Sequence, residues 1–262
     1  MRVVILLLCM EGVAATAQIG SVGRGSVRPQ LDWTLGVHRA QPSVSASVQG
    51  NKDGRVSQVD TEADLGLQRE GSPLGALLEY RTQVHGFRLA YDSYRFQGEQ
   101  ALPRDIFLNG VPYPSGAVVR SLAKMKVYEG LYTYKFISEP EAWVGIDLGA
   151  QVLRSDVSAV DLSAGSSQAA TPSGTLPQIG ISAWTSAAEG LVESRLFYHY
   201  LSKRGATYHR YGLDGRAYLY PGFGLRVFYE ASKLKAPPGS LQGDLDIHAS
   251  TTLYGLGLVL RF

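Results

Sequence analysis

Residues 251–262 read TTLYGLGLVLRF, and every second side chain among them is bulky and apolar. Thr252, Tyr254, Leu256, Leu258, Leu260 and Phe262 share one parity, and Thr251, Leu253, Gly255, Gly257, Val259 and Arg261 share the other. Successive side chains of a β-strand point to opposite faces, so this is a strand with one greasy face and one small or polar face. The same split recurs upstream. Phe223, Leu225, Val227, Tyr229 and Ala231 oppose Gly224, Arg226, Phe228, Glu230 and Ser232; Ala142, Val144, Ile146, Leu148 and Ala150 oppose Trp143, Gly145, Asp147 and Gly149. Leu196, Tyr198 and Tyr200, then Phe87, Leu89 and Tyr91, then Leu74, Ala76, Leu78 and Tyr80, continue the pattern.

Two stretches break phase. Ala123, Met125 and Val127 lie on one register but Tyr132, Tyr134 and Phe136 on the other, which predicts a β-bulge near Tyr128 to Gly130. Leu31, Trp33, Leu35 and Val37 change phase before Val44, Ala46 and Val48, which predicts one bent first strand, with two strands as the alternative. Short turns are expected at Val84 to Gly86, Ser138 to Glu141, Ala187 to Gly190 and Pro221-Gly222. Longer polar segments fall at residues 50–72, 97–118, 159–175 and 236–248, with a short outer connection at Lys203 to Ala206.

Greasy faces this regular, with tyrosines near their ends, suit a lipid belt with aromatic girdles, the short turns facing the periplasm. The fold class read from the residues is therefore all-β: a closed antiparallel transmembrane barrel of about ten strands, within a range of 8–12. The sequence contains no apolar run long enough for a transmembrane helix. Residues 1–17 read as a cleaved signal peptide, with an apolar run from Val3 to Met10, Ala15-Thr16-Ala17 as the small-x-small site and cleavage before Gln18; residues 18–262 form the barrel domain. Cys9 is the one cysteine, so the mature chain has no disulfide framework. A net charge of +2 argues against nucleic acid as a partner.

The chain resembles the small outer-membrane β-barrel proteins of Gram-negative bacteria, in particular a group defined by the barrel domain alone. The likeness is carried by Asp64-Leu65-Gly66-Leu67, by His85 with Phe87-Arg88-Leu89, by Tyr132-Thr133-Tyr134-Lys135-Phe136 and by Leu258-Val259-Leu260-Arg261-Phe262. It implies bacterial outer-membrane localisation, contact with membrane lipid and lipopolysaccharide, and the barrel-assembly machinery as a partner during insertion. Tyr254, Leu256, Leu258, Leu260 and Phe262 resemble that machinery's recognition signal. A monomer is expected.

If the greasy faces meet lipid, the opposite faces fill the tube. They carry Glu79, Arg81, Arg88, Asp92, Lys124, Lys126, Asp147, Glu193, Arg195, Arg210, Asp214, Arg216, Arg226 and Glu230. In a narrow barrel such a nearly balanced set tends to pair off, which predicts a largely plugged lumen with a structural role, or a narrow, porin-like pore mildly preferring anions. A surface-loop adhesin or ligand-binding barrel is the second reading and a barrel hydrolase the third. No enzyme is expected: His199 and Ser202 have opposite parity, as do His209 and Asp214. The histidines are scattered and no cofactor motif is present, so neither metal nor cofactor is expected. The acidic alternation Asp60, Glu62, Asp64 reads as a solvated strand edge, with a calcium-binding or lipopolysaccharide-bridging strip as the sharper alternative.

Overall fold

The computed structural model describes residues 32–262 apart from 53–54, 70–73, 109–110, 166, 172, 204, 221 and 239–244; the expected signal peptide lies outside the described residues. Ten strands form the wall: β1 (Asp32–Lys52), β2 (Leu74–Arg81), β3 (His85–Ala101), β4 (Val118–Glu139), β5 (Ala142–Asp161), β6 (Ser173–Ala187), β7 (Val192–Lys203), β8 (Ala206–Tyr220), β9 (Phe223–Ala236) and β10 (Leu245–Arg261). Each pairs antiparallel with its neighbours in sequence. β10 pairs with β1 from Thr34↔Arg261 to Gly50↔Leu245, so the sheet closes on itself. At the seam Trp33 N donates to Phe262 O at 2.9 Å and Phe262 N to Trp33 O at 3.0 Å. Closure satisfies every wall strand on both sides, which strands need in a medium that offers no hydrogen bonds.

The parity read from the sequence is the parity of the wall. Leu35, Leu89, Leu148, Ile181, Leu196, Leu213, Leu225, Val227, Leu256 and Leu258 all point outward and are exposed. An exposed apolar surface of this extent has no place in water. Its rims are aromatic. Near the short turns Trp33, Tyr80, Phe87 and Tyr132 follow one another with ring centroids 4.6, 6.2 and 5.2 Å apart. On the far rim Tyr91 and Tyr128 lie 5.1 Å apart, and Tyr229 and Tyr254 5.2 Å. Rings with an apolar body and a polar tip anchor a barrel at both interfaces.

The phase break near the N-terminus falls within a single strand, as expected, whereas the one in β4 is not the expected bulge. β1 is one continuous strand, and β4 pairs without interruption through Tyr128, Glu129 and Gly130. The irregularity in β4 sits instead between Lys135 and Ile137, beside the turn. What changes along both strands is the surroundings. Outward residues of β1 pass from Trp33, Leu35 and Val37 to Arg39, Gln41, Ser43 and Ser45, while inward ones pass from Thr34, Gly36 and His38 to Ala40, Pro42 and Val44. In β4 the outward face runs from Phe136, Tyr134 and Tyr132 up to Lys126 and Lys124, opposite an inward run of Val127, Met125 and Ala123. These strands outgrow the membrane: above the belt the outer face meets water, and the inner face packs an apolar cluster of Ala40, Tyr94, Phe96, Val127 and Leu253.

Turns and loops alternate as expected. Short links follow β2, β4, β6 and β8, and Gly222 takes φ 94°, a value glycine adopts without strain. Longer excursions lie at the other end, except for the short link between β7 and β8. They carry the strands Arg55–Asp60, Gln68–Arg69 and Ser167–Ala170 and the hairpin of Ile106–Leu108 with Val111–Tyr113. Val59, Leu65, Leu102, Ile106, Tyr113, Val119 and Ala159 are buried together there, so these loops pack into a cap.

Candidate functional site

The inward faces build one polar column. Glu79, Arg81, Arg88, Asp92, Asp147, Glu193, Arg195, Arg210, Asp214, Arg216, Arg226 and Glu230 all lie inside the wall. Lys124 and Lys126 do not: both have the outward parity of Tyr128 and Tyr132 and are exposed on the outer wall above the belt. With no bulge at Tyr128 to Gly130, the inward positions of β4 go instead to Glu129, Thr133 and Lys135, all buried. Continuing the parity of Tyr132, Tyr134 and Phe136 back through Tyr128 would have found Glu129. His38, His199, Asp32 and Arg261 also join the column; their inward parity was legible, but their partners were not.

Near the short turns Arg81 lies 2.6 Å from Asp32 and 3.3 Å from Glu193, which also takes Arg261 at 2.9 Å. Lys135 Nζ donates to Thr82 O at 2.6 Å and lies 5.1 Å from the centre of the Trp143 ring. One step up, Arg88 reaches Glu79 at 2.8 Å, Glu129 at 3.2 Å and Asp214 at 3.4 Å, while Arg216 Nη1 lies 2.7 Å from Glu79. Arg226 contacts Asp214 at 2.8 Å and His38, and His38 contacts Asp92 at 2.8 Å. Glycine is required beside that last pair, because a Cβ on Gly75 would collide with both His38 and Asp92. Arg210 holds Glu129 and Glu230 together. Asp147, fully buried, accepts from Thr133 at 2.5 Å, Ser182 at 3.0 Å and Arg195 at 3.1 Å, and lies 2.9 Å from His199 Nε2.

Two of these contacts have a special reach. Arg88 stands on β3 and Asp214 on β8, five strands apart in a ring of ten; Arg81 on β2 and Glu193 on β7 stand likewise. They join opposite walls. A cavity of about 30 Å³ lies among Glu79, Arg81, Arg88, Lys135, Trp143 and Glu193.

The residues weighed for catalysis are kept apart. His199 is buried against Asp147, whereas Ser202 is on the outer face; Asp214 is inside, whereas His209 meets Tyr198 and Tyr200 outside. Among the described residues no group of three or more His, Cys, Asp or Glu side chains is placed to hold a metal ion. The acidic alternation is a closed turn. Asp60 Oδ1 accepts from the backbone N–H of Glu62 and Ala63, and Asp64, buried, accepts from Asp60 N at 2.8 Å and Arg104 at 2.5 Å. Burial pushes the Asp64 carboxyl up, but the Arg104 and Asp60 hydrogen bonds outweigh it and hold the group below its ordinary value.

A closed ring of strands, apolar without, ionic within and ringed by aromatics at both rims, is the form in which β-structure crosses a membrane. The chain is built as a closed membrane-spanning β-barrel. No family model matches it, and no curated protein matches it in sequence. Solved structures similar to it include the translocator domain of the autotransporter NalP from Neisseria meningitidis, 10% identical, covering 100% of this chain and 98% of that one with a TM-score of 0.46. Ail, the attachment invasion locus protein of Yersinia pestis, is 13% identical in its complex with the heparin analogue sucrose octasulfate, covering 89% of this chain and 99% of that one with a TM-score of 0.37. The outer membrane protein OprG from Pseudomonas aeruginosa is 12% identical, covering 88% of this chain and 95% of that one with a TM-score of 0.29.

Proposed function

We propose that this outer-membrane barrel is held shut by the ion pairs in its lumen, so that its role in the envelope is structural or limited to narrow, slow permeation. The observation that carries this is the pair of bridges Arg88 to Asp214 and Arg81 to Glu193, which tie strands on opposite sides of the ring. Breaking a buried pair by removing one partner is costly, and the charges here interlock, so solute passage requires several pairs to part at once. The reading assigns no catalysis, since His199 is turned to Asp147 and away from Ser202. Planar-bilayer recording tests it. The wild-type barrel is expected to be nearly silent, and Arg81→Ala with Arg88→Ala to open discrete conductance steps. Free conduction by the wild type, or no change in the double variant while its heat-modifiable gel band shows it folded, would overturn the closed lumen.

The packed cap over the outer end favours a second reading, in which the loops bind a surface ligand. Loops that bury Ile106, Tyr113 and Leu65 together present a fixed outer surface. Deleting residues 103–116 and assaying whole-cell binding separates the two, because a structural barrel loses nothing and a binding barrel loses its ligand.

A further inference from the structure

On the outer wall of β3, β4 and β5, just above the belt, cations occupy neighbouring ladder positions. The belt's last row there is Tyr91↔Tyr128↔Val152; the next is Ser93↔Lys126↔Arg154, and the one above is Arg95↔Lys124↔Asp156. Arg95, Lys124, Lys126 and Arg154 are all exposed. Ladder neighbours stand about 5 Å apart across the sheet and about 7 Å along it, and like charges set opposite one another repel. Among the described residues, Lys124, Lys126 and Arg154 form no ion pair, and Asp156 is the one acid in these rows. Two rows higher the arrangement is ordinary, with Arg120 paired to Glu99 at 2.9 Å.

The height of the patch identifies its complement. Arg154 lies 5.8 Å from the centre of the Tyr128 ring, so its charge rests on the aromatic rim. Directly below that rim the row Leu89↔Gly130↔Ala150 dips: a Cβ on Gly130 would have only the Leu89 side chain nearby, at 3.7 Å. The wall thus offers cations at the level of headgroups and a shallow apolar trough beneath them. A phosphate-bearing lipid has both parts in that order. We propose that Lys124, Lys126 and Arg154, with Arg95 beside them, bind the phosphorylated sugar headgroup of an outer-leaflet glycolipid of the lipid A type, an acyl chain lying over Gly130. The inference rests on the membrane placement of the belt and is independent of whether the lumen is closed.

Native mass spectrometry of the refolded barrel in detergent, with diphosphorylated lipid A added, tests it. Wild-type protein is expected to retain the lipid and to release it when the same lipid is dephosphorylated. The triple variant Lys124→Ala, Lys126→Ala, Arg154→Ala should bind about 100-fold more weakly. Asp156→Asn should bind more tightly, and Arg120→Ala should match the wild type. All variants lie on the exposed wall, and heat-modifiable migration certifies that each is folded. Equal retention by the triple variant, equal retention of the dephosphorylated lipid, or binding of a soluble sulfated oligosaccharide as tight as that of lipid A would each overturn the proposal. Lumen conductance should be unchanged in the triple variant, which separates failure here from failure of the closed-lumen reading.

Discussion

Asp214 shows what a single inward residue does in this barrel. It is buried, and Arg88, Arg216 and Arg226 converge on it at 3.4, 3.3 and 2.8 Å. Replacing it with asparagine takes the carboxylate from Arg226 and removes one of the carboxylates that face Arg88 and Arg216, whose remaining partners are Glu79 and Glu129. Asp214→Asn is expected to destabilise the barrel by about 3–5 kcal/mol in urea unfolding from lipid vesicles, while Lys126→Ala on the outer wall stays within about 0.5 kcal/mol. Similar losses for both would mean that Asp214 is not the hub the geometry makes it. At the cap, the sign of a pH effect follows from Asp64. Its carboxyl is held below the ordinary 3.8 by Arg104 and the Asp60 N–H, so the turn gains stability above that value and loses it as pH falls through and below it. Hydrogen-exchange protection at Ala63 to Gly66, taken relative to the intrinsic amide rate at each pH, should therefore fall under acid in the wild type and already be low near neutral pH in Arg104→Ala. The inward identity of Asp214 was legible from parity; its three partners were not, because they come from β3, β8 and β9 and a list of inward residues carries no angle around the ring.

Strands are the scale at which the sequence speaks most clearly, since period two is a property of the backbone. It misleads where the medium changes. In β1 and β4 the apolar phase inverts, and in β4 the inversion predicts a bulge only as long as the outside is taken to be lipid throughout. The inversion marks the membrane edge instead: the backbone keeps its register while the outer face passes from hydrocarbon to water and the inner face from ions to the apolar cluster. Lys124 and Lys126 lie on the outer wall and not in the lumen for that reason. The edge makes a prediction. Leu35 and Ser43 share the outward face of β1, so Leu35→Arg should cost about 2–4 kcal/mol and Ser43→Arg about 0–1 kcal/mol in the same unfolding assay. Equal costs would contradict an edge between them.

Over the whole molecule, closure is the decisive fact. Ten strands make a tube narrow enough for side chains on opposite walls to touch, which an 18-strand wall would not allow. The strand count, the turn side and the loop side were all readable, because turn residues and alternation are local. The cap was not, because the packing of Leu65, Leu102, Ile106 and Tyr113 joins loops far apart in sequence. The central claim, that the outward parity meets lipid and the inward parity meets only itself, is open to direct measurement because the chain from residue 18 onward contains no cysteine. Spin labels placed one at a time from Trp33 to Ser45 in the bilayer-reconstituted barrel should show oxygen access at Trp33, Leu35 and Val37, access to a water-soluble relaxant at Gln41, Ser43 and Ser45, and access to neither at Thr34, Gly36 and His38. Oxygen access at the even positions, or free access of the water-soluble relaxant to Thr34, Gly36 and His38, would contradict it.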